Sequence, residues 1–499
     1  MPERPPNILW YCTDQQRFDT IGALGNPHVH TPNLDRFVAE GVAFTHAYCQ
    51  SPICTPSRAS FLSGMYPSAI HANGNSVAHF GDARPLVTKR LAAAGYDGGL
   101  VGKLHLAQAR SGIEPRVDDG YRFFRYSHSP RDNWPPGEHH YADWLRDRDH
   151  DARALLGDTR DPDYLSLVKE RSFGGLYAPS ADHDNVPPAL HQTTWCTEMS
   201  IEFIQAARPA DQPWILCVNP FDPHPPYDPP WEYFRRFDPA SLPGPHFQPS
   251  DLVHQRRLAD MGVDFQTAAR PPEEFEARTV QAAYYAMIEQ IDEQFGRLLD
   301  ALAATAEAEH TVVIFTSDHG ESLGDHGLTL KGCRFFDGLT RVPLIWRWPG
   351  WFDSNQQATA LVELTDIAPT LLELAGLAPP AWMHGRSLLP ILAGQAAADR
   401  HRDFVRCEYY DALPLEGGSF ATMYRDARWK LNVYHDTGVG EHYDLEADPY
   451  EFQSLWDDPS HRATKMDLLQ KSFDATARAI DWGPPRVTPY AHAADPPAG

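Results

Sequence analysis

The chain has 499 residues, 42% of them hydrophobic, and carries 43 basic against 67 acidic side chains for a formal charge of −24. That acidic excess argues against nucleic-acid or anionic-membrane partners, and the length exceeds what one core usually serves, so a large domain with a smaller companion is expected. No apolar run precedes residue 7 and none later is long enough to span a bilayer, while the seven cysteines are scattered without zinc-like pairing; a cytoplasmic chain with reduced thiols is expected.

Residues 7–12 are a continuous apolar run of the kind buried on both faces of a parallel sheet, and they deliver Asp14 and Gln15 to a strand's C-terminal end, where α/β folds keep their sites. Residues 31–41 combine Thr31 as a cap, Pro32 at the first helical position, apolar spacing and a closing Gly41, which predicts a helix followed by a strand over 42–48. The stretch 51–64 reads as a loop entering a short helix, capped by Thr55, with Pro56 at the first position and Gly64 at the end. Cys54 then sits where free N–H groups favour an anion, and Arg58 can lay its guanidinium fork on the oxygens of a sulfate or phosphate. A lone cysteine at a helix start is commonly only a buried thiol, so the rest of the chain must supply acid–base groups and a metal site.

A helix over 86–94 and a strand over 97–102 follow, and the alternation of helix and strand predicts a parallel or mixed sheet. Lys103 and His105 come next, on one face if the chain stays extended. Between 107 and 190 periodicity fades into Asp, Arg, His, Pro and aromatic residues, the signature of a lid. A helix marked by Trp195, Met199 and Phe203 and a strand over 213–218 lead to His224, whose flanking prolines remove backbone freedom around an acid–base side chain. A long amphipathic helix over 274–304 precedes a buried strand over 311–317 that presents Asp318, His319 and, further on, Lys331. A strand over 343–346 and a helix over 365–375 complete this part. Past residue 398, hairpin-like segments at 420–424, 429–434 and 441–445 predict a small antiparallel sheet with a helix over 463–479, and a Pro-rich tail from Trp482 suits packing on another subunit of a homo-oligomer.

Asp14, Gln15, Asp318 and His319 offer two carboxylates, an amide oxygen and an imidazole, a mostly hard-oxygen set that suits one divalent cation, Ca²⁺ or Mn²⁺ ahead of Mg²⁺. The string Cys54-x-Pro56-Ser57-Arg58 resembles the signature of the sulfatases. With 7–17, 31–41, 102–105, 222–226, 317–331 and Tyr443-Asp444-Leu445, the resemblance covers nearly the whole chain and is to a type I sulfatase of the alkaline phosphatase superfamily. It implies an α/β fold with a large, mostly parallel sheet over 1–398 and a smaller antiparallel α+β domain over 399–499.

It also implies that a maturation enzyme oxidises Cys54 to formylglycine, whose hydrate, bound to the metal and deprotonated with help from Asp318, attacks a small anionic sulfate ester with an aryl or small alkyl group. On that resemblance Arg58 and Lys103 stabilise equatorial oxygens, His224 and Lys331 serve the leaving alcohol, and His105 takes the proton that lets the hemiacetal collapse. Many arylsulfatases have an Asp where this chain has Gln15 and an Asn where it has His319, forms reminiscent of choline sulfatases and phosphonate monoester hydrolases. Those phosphonate hydrolases lack a pair like Lys103 and His105, so a sulfatase with some phosphoester turnover leads, and a phosphonate monoester or phosphodiester hydrolase is the alternative. A silent metal- and oxyanion-binding protein is the reading of another class. Asn75, His79 and Trp134 are candidate substrate contacts.

Overall fold

The computed structural model describes residues 4–75, 77–81, 84–109, 113–129, 135–148, 186–206, 208–209, 211–481 and 483. Nine strands build the main sheet: β1 (Asn7–Thr13), β2 (Val42–Tyr48), β3 (Asp97–Gly102), β4 (Phe123–Tyr126), β5 (Trp214–Asn219), β6 (Thr311–Ser317), β7 (Arg341–Val342), β8 (Leu344–Arg347) and β9 (Gln356–Glu363). Their order is β4-β3-β5-β1-β6-β8-β2-β7, with β9 beside β2. From β4 to β6 every pairing is parallel; β8 runs antiparallel to β6 and β2. This is the large, mostly parallel sheet expected for an alkaline phosphatase-like fold.

The apolar runs explain the layering. All seven residues of β1 and of β6 are buried, because both faces of the sheet are covered. Side chains alternate along β1, so Trp10 faces one layer and meets Phe61 of the helix Cys54–Ser63 at 5.2 Å between ring centroids, while Tyr11 faces the other and meets Phe295 of the helix Ala277–Ala303 at 5.2 Å. Each such side chain contributes roughly 1.5–3 kcal/mol by leaving water. Two packed layers therefore fix β1 in depth.

Register then fixes the chemistry. Thr13 pairs with Ser317, which sets Asp14 and Asp318 side by side, and Gly102 pairs with Asn219, which sets Lys103 beside the loop after β5. Gly102 has φ +101° and a Cβ there would lie 2.0 Å from the Asn219 carbonyl oxygen, so only glycine permits this approach. A second sheet, β10 (Val405–Tyr410), β11 (Phe420–Arg425), β12 (Trp429–Tyr434) and β13 (Gly440–Asp444), is antiparallel throughout. The helix Arg462–Arg478 packs Leu468 and Ala475 against its Tyr424 and Leu431. It meets the first sheet through Glu408 N–H on the Gln50 carbonyl at 2.9 Å and through Arg402, which pairs with Glu363 at 2.9 Å.

Several local expectations are corrected. Thr55 is no cap: the helix begins at Cys54, its N-cap is Ile53 in extended conformation, and Pro56 is the third helical residue, where its missing N–H still deprives the helix of nothing. Gly41 does not close its helix, which spans Pro32–Ala39; a Cβ at Gly41 would lie 2.4 Å from the Trp346 carbonyl oxygen, so close approach to β8 requires it. The long helix starts at Ala277, after a 3₁₀ turn at Pro272–Phe275 and a left-handed Glu276. The stretch 107–190 is not wholly irregular, since it contributes edge strand β4 and a helix at His140–Arg146. Sequence reading missed β9, β10 and the helix Pro249–Asp260. All seven cysteines are buried free thiols, and no helix among the described residues is long and apolar enough to cross a membrane.

Candidate active site

The C-terminal ends of β1, β3, β5 and β6 converge on the first residue of the cysteine helix. Asp14 follows β1; its N–H bonds to the Asp222 carbonyl at 3.1 Å, and its carboxylate pairs closely with Lys103 from the end of β3. Asp318 follows β6, and its Oδ1 accepts the N–H of Gln15 at 2.9 Å and of His319 at 2.9 Å while Oδ2 accepts Arg58 Nε at 2.8 Å. Asp14, Asp318 and His319 are all fully buried, and with Cys54 their ligand atoms lie within 4.8 Å of one another. Two carboxylates held this close require cations, which Arg58 and Lys103 supply.

Cys54 Sγ stands 2.9 Å from Lys331 Nζ, 3.1 Å from His319 Nε2 and 3.7 Å from Asp14 Oδ1. Burial raises the thiol's pKa, but Lys103 and then Lys331 more than offset it and hold the thiol well below its ordinary value. Burial likewise opposes ionisation of Asp14, yet Lys103, together with His224 and Arg58, keeps its pKa at about 2. His319 Nδ1 lies 2.8 Å from the Gly320 carbonyl, which requires the proton on Nδ1 and leaves the Nε2 lone pair facing Cys54 and Lys331. Among the described residues Arg58 Nη2 is buried without a hydrogen-bond partner, 3.9 Å from Asp14, a donor available to an anionic oxygen.

Lys103 and His105 do not share an extended face. Gly102 has φ +101° and His105 φ +56°, so the chain turns twice. Both side chains nevertheless act on the cysteine: the Lys103 ammonium, paired with Asp14, and the His105 imidazole lie within the electrostatic reach of Cys54, while the Lys103 carbonyl is held by Asn219 Nδ2 at 2.7 Å and Arg58 Nη1 at 3.1 Å. Burial, reinforced by Lys103, pushes the His105 pKa down to about 4, leaving a neutral imidazole at pH 7. His224 is also lowered, by burial and then by Lys331; its Nδ1 lies 2.6 Å from the Pro225 carbonyl. Of the candidate substrate contacts, Asn75 accepts the Thr55 N–H on its Oδ1 at 2.9 Å, so it caps the cysteine helix from outside; His79 is exposed and joins none of these contacts; Trp134 lies outside the described residues.

Sequence reasoning missed Glu321, Asp222 and Tyr284. Glu321 takes the Gln15 amide N–H, Asp222 accepts Thr193 Oγ1 at 2.5 Å and ties the His224 loop down, and Tyr284 donates to the Gln15 carbonyl at 2.6 Å. Glu321 carries a signal in its place in the Asp-His-Gly-Glu run after β6, and Asp222 in the 222–226 stretch that joins the family resemblance; Tyr284 carries none. The donor set fits a divalent cation: two carboxylates, the Gln15 amide oxygen and the His319 Nε2 lone pair, all buried.

The chain matches the family described as Sulfatase over residues 6–377. It belongs to the sulfatase family. Residues 324–478 of this sulfatase also match the C-terminal family described for N-sulphoglucosamine sulphohydrolase. It is 28% identical to an arylsulfatase of Clostridium perfringens, over 93% of each chain, and 28% identical to a choline-sulfatase of Rhizobium meliloti, over 95% of this chain and 89% of that one. The solved phosphonate monoester hydrolase of Agrobacterium radiobacter superposes with a TM-score of 0.76 at 26% identity, over 95% and 96% of the two chains. As a member of this family the chain is a sulfuric ester hydrolase of the alkaline phosphatase superfamily.

Proposed function

We propose that this sulfatase hydrolyses sulfate monoesters of small aryl or alkyl alcohols at residue 54, after Cys54 has become formylglycine, beside one divalent cation held by Asp14, Gln15, Asp318 and His319. The observation that carries this reading is the placement of Cys54 Sγ among His319 Nε2, Lys331 Nζ and Asp14 at 3.1, 2.9 and 3.7 Å, in a pocket that also buries Arg58 and Lys103. Formylglycine would supply an oxygen nucleophile in place of the thiol, and the cation, Ca²⁺ or Mn²⁺ by its donor set, would lower that oxygen's pKa.

The chain's own residues divide the remaining work. Arg58, with its unpartnered Nη2, and Lys103 bind the ester's non-bridging oxygens. Lys331 and His224 both reach residue 54 and can neutralise or protonate the departing alcohol. His105, neutral at pH 7, takes the proton whose loss releases sulfate and restores the aldehyde. Cys54 is 1% exposed, so a maturation enzyme must act before the chain folds around it. Arg58, Lys103 and Lys331, gathered around residue 54, attract an anionic ester without distinguishing sulfur from phosphorus.

On this reading phosphonate monoesters and phosphodiesters turn over as a side reaction; a second reading, resting on the likeness to the phosphonate monoester hydrolase and on the Gln15–His319 donor pair, makes them the main substrates of the same site. The matured enzyme assayed with aryl sulfate, choline sulfate, phosphodiester and phosphonate substrates should give its largest kcat/KM on a sulfate. A diester or phosphonate preferred by orders of magnitude would make the second reading the primary one.

A further inference from the structure

Gln15 differs from the carboxylates among the metal-site candidates in having two chemically opposite ends on one planar group. Its oxygen can bind a cation, its NH₂ repels one, and the two exchange by a half-turn about the last side-chain torsion. The backbone leaves no other freedom: Gln15 has φ +70°, its N–H donates to Asp318 Oδ1 at 2.9 Å, and its carbonyl accepts Tyr284 Oη at 2.6 Å.

The remaining torsion is set by Glu321. This carboxylate is fully buried, its Oε1 accepts the N–H of Leu323 at 3.1 Å and of Leu330 at 2.5 Å, and its Oε2 takes the Gln15 Nε2. The Gln15 NH₂ thus faces Glu321, and the ammonium of Lys331, which can only donate, stands 2.6 Å from the amide oxygen, so that oxygen faces inward, on the side of Cys54 and His319. We propose that Glu321 is the positioning residue that makes Gln15 an oxygen ligand, by fixing its amide with the carbonyl toward the cation. This rests on the metal-site reading above and adds to it why an amide, rather than a carboxylate, works at position 15.

The test is a donor–acceptor swap read as cation binding, by calorimetric titration of the metal-stripped full chain with Mn²⁺ and with Ca²⁺. Glu321→Gln allows the Gln15 amide to turn over and should weaken binding about ten- to a hundredfold. Gln15→Glu sets two carboxylates against each other and should also weaken it. The double variant again pairs one amide with one carboxylate, keeps the acceptor for Leu323 and Leu330, and should bind within a few-fold of the parent. A merely structural role for Glu321 predicts that the two losses add. Unchanged affinity in Glu321→Gln, or a double variant weaker than both singles, overturns the proposal; should Glu321→Gln not fold, the comparison of Gln15→Glu with the double variant decides it. Asp318→Asn separates the premises: a parent that binds no cation refutes the metal site itself, whereas a parent that binds, an Asp318→Asn that does not, and a Glu321→Gln that matches the parent refute only the role of Glu321.

Discussion

Glu114 offers a quantitative check on the loop that carries His105. It is 1% exposed, Oε1 accepts the N–H of Leu106 at 3.2 Å, and Oε2 is buried without a hydrogen-bond partner among the described residues. Burial pushes its pKa from 4.5 up to about 7, against the pull of the Leu106 and Ala107 amides and of Arg58 and Lys103. The folded chain therefore holds a proton that the unfolded chain releases, so the stability this group contributes is complete below pH 4.5 and is lost as pH rises through about 7. That displacement converts to roughly 3 kcal/mol as an upper figure. Glu114→Gln keeps an oxygen for the two amides and cannot ionise. Relative to the parent it should be near neutral at pH 4 and stabilised by up to about 3 kcal/mol at pH 8.5. Urea unfolding of both proteins at the two pH values, followed through the transition that unfolds the main sheet, measures this. An equal difference at both pH values would refute the argument.

Asp14→Ala and Asp318→Ala should each remove the bound cation and activity together, and Asp318→Ala should also destabilise by about 3–5 kcal/mol because Arg58 stays buried without its partner; metal content after dialysis against chelator and thermal unfolding check both, and an active, metal-free variant contradicts the site. Asn75→Ala removes the acceptor for the Thr55 N–H and should cost about 1 kcal/mol, with Asn75→Asp recovering it, as read by urea midpoints. His105→Ala should slow steady turnover yet leave a first-turnover burst of alcohol in stopped-flow; loss of the burst would move His105 to the attack step.

What was legible in the sequence is what short-range chemistry dictates. Continuous apolar runs, Ile8 to Cys12 and Val312 to Phe315, announce β1 and β6, and acidic residues at two strand ends announce a shared site, because a parallel sheet collects such ends on one side. What stayed hidden depends on partners distant in the chain. The cap of the cysteine helix comes from Asn75 rather than Thr55, a substitution invisible without the turn that brings residue 75 back. Gly41 read as a helix stop because its actual reason, the Trp346 carbonyl, lies three hundred residues away. β9 escaped because Gln356 and Gln357 blur its apolar pattern, and Glu321 escaped because a buried carboxylate shows its purpose only beside Gln15.

The central claim is that residue 54 works as an aldehyde-derived nucleophile rather than as a thiol. Peptide mass spectrometry across Cys54, on protein purified from its native host under active conditions, tests it most directly. The account predicts formylglycine at position 54 in the active fraction, while an active enzyme whose Cys54 is entirely unmodified thiol would contradict it.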